Sequence, residues 1–183
     1  MLADESRIPL PHDYYSADSN HFLRVVPLSI PAKYYQWQQA KPKRKARFSP
    51  QDTLVVACHA ILYQRTPNGP HIVWKQDLIN QVAPTTVLVS NDGRYVVTFD
   101  NWSSMGYGVD VMVVYDHQGY LLKRYNLEQI SPFPINLYDR TISSIWWRCE
   151  TQFTAPDQLS ICFLTKDKRT KICPYSLTEL AFE

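Results

Sequence analysis

RYVVTFDNWSSMGYGVDVMVVYDHQGYLLKRY, residues 94–125, decides the fold class. An apolar run reaches Phe99, and a polar loop of Asp, Asn, Ser and Gly follows. A second apolar run, Val111 to Tyr115, ends at Asp116. The turn Asp116-His117-Gln118-Gly119 then leads into Leu121 to Tyr125. Short runs rich in Val, Tyr and Phe, separated by Asp, Asn and Gly, are the signature of strands joined by turns.

The same pattern extends in both directions. Upstream, HFLRVVPL (21–28) reads as the first strand, and SPQDTLVVACHAILYQR (49–65) carries a nearly buried one through Val55, Val56, Ala57, Cys58 and Ala60. Asn68-Gly69 supplies a tight turn, HIVWK (71–75) returns, and TTVLVS (85–90) follows. Downstream, ISSIWWRCE (142–150) is a strand, and LSICFLT with KICPYSL forms a hairpin around Lys166 to Arg169. About ten short strands predict an all-β antiparallel meander, with a sandwich, a barrel and a partial propeller all open. VSNDGRYVVTFD and VYDHQGYLLKRY share a strand, an acidic turn with Gly, an aromatic and a strand. A propeller repeats units in this way, and so does any meander. With 13 Pro and 5 Gly, helix is confined to short pieces, 32–41 and a single turn at 126–130.

The 183 residues fit one domain, 1–183, with a polar lead-in (1–20) and a basic loop (41–47). A hydrophobic content of 45% and a charged content of 20% suit a folded protein. No apolar run is long enough to cross a bilayer as a helix, and MLADESRIPL does not read as a signal peptide. A chain beginning after a removed signal would look the same.

LVSNDGRYVVTFDNWSSMGYGVDVMVVYDHQGYLLKRYNLEQI resembles a family of uncharacterised bacterial proteins, many of them exported. The shared features are the Asn91-Asp92-Gly93 turn, Val96 to Trp102, Gly106-Tyr107-Gly108, Val111 to Asp116 and the leucine-rich Leu127 to Ile130. SADSNHFLRVVP and VWKQDLINQVAP extend the likeness upstream, and the segment around KPKRKAR departs from it. The resemblance implies a blade-like all-β fold and a periplasmic or otherwise exported setting, with a cytoplasmic one as the alternative. It implies no activity.

Several local features invite chemistry. Asp100, Asn101, Ser103, Ser104 and Asp110 offer oxygen ligands for calcium, but their spacing is not that of an EF-hand, and turn capping explains them better. There is no GxSxG and no HExxH, and His12, His21, His59, His71 and His117 are scattered. No cofactor or metal is expected. Lys41, Lys43, Arg44, Lys45 and Arg47 form the sharpest charge feature; a solvated loop ranks first for it and an acidic protein partner second. The net charge of +2 argues against wholesale nucleic-acid binding. In the Trp146-Trp147 pair one indole should enter the core and the other face solvent or a partner. Cys162 and Cys173 flank the last turn, and a two-residue turn at Asp167-Lys168 would place them opposite each other as a disulfide.

The expectation is a protein-binding module that performs no catalysis. Trp146, Trp147, Lys43, Arg44 and Lys45 would form its contact surface. A bacterial immunity protein that covers a cognate toxin is one such module. An exported hydrolase with an unrecognised cleft is the alternative.

Overall fold

The computed structural model describes residues 9–183, so the first part of the lead-in lies outside the described residues. In chain order the elements begin with β1 (His12–Tyr15), β2 (His21–Val26), α1 (Tyr34–Gln39), α2 (Pro42–Lys45), α3 (Pro50–Thr53), β3 (His59–Thr66) and β4 (Gly69–Asp77). β5 (Pro84–Val89), β6 (Val96–Asn101), β7 (Met112–Tyr115), β8 (Leu121–Tyr125) and α4 (Leu127–Ile130) follow. A short 3-10 turn at Ile135–Leu137 precedes β9 (Asp139–Arg140), β10 (Ile145–Trp146), β11 (Arg148–Ala155), β12 (Gln158–Leu164), β13 (Thr170–Ser176) and β14 (Ala181–Phe182).

The chain is all-β with only short helices. Three four-stranded antiparallel meanders form, β1 to β4, β5 to β8 and β11 to β14, beside a two-stranded ribbon of β9 and β10. No sheet closes into a barrel among the described residues. The second sheet is the centre of the stack. Its period-two alternation splits a run of buried residues between two faces. Val87, Val89, Val96, Val113 and Tyr115 pack toward Leu23, Leu62 and Trp74 of the first sheet. Val97, Phe99, Met112 and Val114 pack toward Leu159, Ile161, Phe163 and Tyr175 of the third.

Both members of the internal likeness seen in the sequence lie in this one sheet, as the β5–β6 and β7–β8 hairpins, and not in separate blades. What recurs between sheets is a turn. Ser16 Oγ donates to Asp18 (2.7 Å), Ser90 Oγ donates to Asp92 (2.8 Å), and Thr165 Oγ1 donates to Asp167. Each hydroxyl also accepts the backbone N–H that closes its turn, from His21, Tyr95 and Arg169. The left-handed position within these turns is held by Ser19, Gly93 and Lys168. Gly93 has a further reason to lack a side chain, because a Cβ there would meet the His21 ring at 2.8 Å.

Four expectations need correction. HFLRVVPL is not the first strand, since β1 precedes it within the lead-in and adds an edge strand to the first sheet. Val55 to Ala57 are not a buried strand; Leu54 and Val56 are exposed, and β3 starts at His59. The basic stretch 41–47 contains the helical turn α2, started by Pro42, whose ring presets the helical φ. The disulfide joins Cys162 to Cys149, not to Cys173. The last turn runs from Thr165 to Arg169, so Cys162 pairs with Ile172 and Cys173 with Ile161. One step along a strand changes face. Cys173 therefore turns inward against the core as a free thiol, while Cys162 faces outward. Meanwhile β11 sets Cys149 and Glu150 against Cys162 alone, a bulge that brings Cys149 within bonding reach.

Candidate protein-binding surface

One end of the stack gathers the segments that the sequence marked out. Leu28 N–H donates to Val82 O (2.8 Å), Trp102 N–H donates to Ala83 O (2.8 Å), and Ile145 N–H donates to Met105 O (2.8 Å). This chain of bonds ties the base of the β2–β3 connection to the β4–β5 and β6–β7 loops and to the β9–β10 ribbon.

The polar loop after Phe99 is a fastener. Asp100 is 1% exposed and adopts φ 57°, a left-handed conformation that Asp tolerates better than most residues. Its Oδ1 accepts from Gly106 N–H (2.7 Å) and from Trp147 Nε1–H (3.0 Å). Its Oδ2 is buried without a partner. Burial pushes the carboxyl above the usual carboxylate range, against the pull of the Trp147 and Gly106 bonds and of Arg148. Gly106 sits so close to Ile145 that a Cβ would lie 2.7 Å from its side chain. Tyr107 adds a hydroxyl bond to Thr141 O (2.9 Å). Beneath the loop, the Asn80 amide donates to Asp100 O and Asn101 Oδ1, both at 3.1 Å. The loop thus fixes the ribbon against the central sheet. Asp110 takes no part in the Asp100 cluster and faces Arg124 at 3.4 Å. Among the described residues, no three His, Cys, Asp or Glu side chains converge to hold a metal ion.

The two tryptophans separate completely. Trp147 is 0% exposed and packs on Phe99 and Phe163, so its place in a contact surface is corrected: it belongs to the core. Trp146 is 46% exposed, on the outer side of the two-residue strand β10, opposite Asp139. The fully exposed Ile142 lies in the turn that joins β9 to β10, and Trp102 and Val109 are exposed on the stapled loop. Arg148, next along, spreads its guanidinium 4.4 Å over the Phe99 ring and donates to Thr86 Oγ1 (2.8 Å). Desolvation pulls its pKa below the usual arginine value.

Lys43 and Arg44 are exposed on α2, and Lys45 is half-buried with its ammonium 4.8 Å from the Trp37 ring centroid. The histidines do not assemble. His21 bonds Asn91 O through Nδ1 (2.8 Å) and His59 bonds Ala57 O (3.1 Å). Cys58 is buried, which pushes its thiol up to about 12.

The exposed Trp146 and the buried Trp147 were legible as a pair in sequence; which was which was not. The Asp100–Trp147 bond and the Cys149–Cys162 bridge were missed. The one signal for the first was an aspartate directly after the run Val96 to Phe99, just before a Gly-containing loop. The chain matches no family model and no curated protein sequence. No helix among the described residues is long and apolar enough to cross a membrane.

Proposed function

We propose that this chain is a non-catalytic protein-binding module that meets its partner with the end of the stack carrying Trp146. The observation that carries the reading is a 46% exposed tryptophan on a two-residue strand held by the bonds of Ile145 to Met105 and of Tyr107 to Thr141. A rigid, exposed indole loses little freedom on association and buries a large area, which is why tryptophan recurs as an interface anchor. Ile142, Trp102 and Val109 enlarge the apolar area at the same end.

The finer reading is a bacterial immunity protein that neutralises a toxin by covering it, working in the periplasm or another exported setting. The Cys149–Cys162 bridge supports an oxidising compartment. The test begins with co-purification of the partner from the source organism, followed by binding kinetics. Trp146→Ala should raise the off-rate by about 30-fold, the equivalent of a hot spot of roughly 2 kcal/mol, with the fold unchanged. An unaltered off-rate in a folded Trp146→Ala protein overturns the surface. A partner that shows no toxicity when expressed alone removes the immunity reading and leaves the binding module.

A further inference from the structure

Residues 29–57, between β2 and β3, form a lobe unlike the rest of the molecule. None of these residues is buried, although Tyr34, Tyr35, Trp37, Phe48, Leu54 and Val56 are among them. The lobe has no core of its own and contributes nothing to the two cores of the stack. Its base is closed by a single antiparallel bridge, in which Ser29 N–H donates to Val56 O (2.9 Å) and Val56 N–H donates to Ser29 O (3.0 Å).

Its charge is equally distinct. Lys33, Lys41, Lys43, Arg44, Lys45 and Arg47 face one carboxylate, Asp52, in a chain whose net charge is only +2. The remainder of the chain is therefore net acidic. Asp52 is already engaged: it caps α3 through Ser49 N–H (3.0 Å) and pairs with Lys33 Nζ (2.9 Å), and the Lys33 bond holds its carboxyl down at about 2. Among the described residues, no carboxylate lies within ion-pair distance of the other five cations.

We infer that this lobe is the docking element for an acidic protein surface, with Lys41, Lys43, Arg44 and Arg47 meeting carboxylates and Tyr35 providing aromatic contact. The inference rests on the protein-binding reading above and names the chemistry of the partner. Three observations favour protein over the other anionic surfaces. The Trp37 ring is covered by Lys45 and lies 5.7 Å from Tyr34, so it is not free to stack on a base. The rest of α1 is Gln36, Gln38 and Gln39, amides that suit hydrogen bonding to protein and not insertion among lipid chains. The lobe exposes Tyr35, Arg44 and Arg47 together, and Tyr and Arg are the residue types that protein interfaces favour.

The experiment uses the full chain and two variants. In one, residues 30–55 are replaced by Asn-Gly, a two-residue turn suited to the Ser29/Val56 bridge. In the other, Lys43→Glu, Arg44→Glu and Arg47→Glu are combined, which keeps the lobe and the Lys45 contact with Trp37. The probes are an end-capped peptide of repeating Glu-Gly-Tyr, an oligothymidylate and phosphatidylglycerol vesicles. The peptide should bind best at low salt, and both variants should weaken it by about tenfold or more while their circular dichroism and thermal midpoints stay near those of the parent. Equal peptide binding by either variant overturns the inference, as does tighter binding of the oligonucleotide or the vesicles. If the lobe fails this test while Trp146→Ala still releases the co-purified partner, the binding module stands without the lobe.

Discussion

The central sheet and the lobe at 29–57 are opposite uses of similar residues. In β6 and β7 every residue is buried, and Val, Phe, Thr and Tyr each have a defined neighbour on one of two faces. The lobe also carries aromatic and aliphatic residues, Tyr34, Tyr35, Trp37, Phe48, Leu54 and Val56 among them, yet none is buried, and cations lie between them. Apolar content alone does not produce a core. What differs is spacing: a short continuous apolar run, whose side chains point to alternate faces, lets one strand serve two neighbouring sheets, whereas YYQWQQ and KPKRKAR have no face that a sheet could cover. The stack therefore supplies stability and the lobe supplies charge. Changes in the stack should be read in unfolding, and changes in the lobe in binding.

The largest test of this division is the tryptophan pair. Trp147→Ala removes the indole between Phe99 and Phe163 and strands the Asp100 carboxylate, so it should cost about 3–5 kcal/mol in urea unfolding. Trp146→Ala, one residue away, should stay within roughly 0.5 kcal/mol of the parent. Similar losses at both positions would mean that Trp146 is also structural, and would remove the anchor from the proposed surface.

The disulfide comes next. It lies on the outer side of the third sheet, where Cys149 and Cys162 are half-buried, and it closes a sequence separation of 13 residues. The chain-entropy model gives about 3 kcal/mol for a loop of this size, so Cys149→Ser with Cys162→Ser should lower stability by about that amount. Alkylation without reduction should label Cys173 and, only on unfolding, Cys58. Protein from an oxidising compartment that takes up four labels in denaturant would refute the bridge.

The sequence made the strands of the central sheet legible because its apolar runs and Asn, Asp and Gly turns agree at every level. The helical turn at 127–130 was legible too, through Asn126 and Gln129, which cap each other across its first turn. Register was not legible. A bulge in β11 and the length of the turn at 165–169 decide which cysteine meets which, and each depends on one residue more or less. The exposure of Val55 to Ala57 was hidden for a related reason. Their apolar text continues into β3, but that strand starts only at His59, so these residues stay in the lobe with no sheet to cover them. Of the contact surface, the basic run and the tryptophan pair were visible; the links that place the base of the lobe and the ribbon at one end of the molecule are long-range, and no local pattern encodes them.

Asp100 gives the smallest and most specific test, because it is a polar group inside the buried half of the comparison. Its raised carboxyl sets the sign. In the unfolded chain the group titrates near the usual aspartate value of about 3.9. Between that value and the higher native one, the folded state keeps a proton that the unfolded state has released. Stability therefore falls as pH rises through this window, and the penalty is fully present above the native value. Asp13, Asp52, Asp92 and Asp167 are shifted down, so their contributions run the opposite way and are lost as pH falls. A difference between two proteins cancels them. Asp100→Asn keeps an oxygen for Gly106 and Trp147 and places an amide where Oδ2 already lacks a partner, and Asn tolerates the positive φ. It should be more stable than the parent at neutral pH and should lose that advantage in acid. Asp100→Ala also loses both bonds and should be less stable than the parent by about 2 kcal/mol at neutral pH. Urea unfolding of the three proteins across the acid range decides the matter. A parent-minus-Asn difference that is flat with pH would mean that the carboxylate is not desolvated, and that the fastener at this end of the stack is open to water.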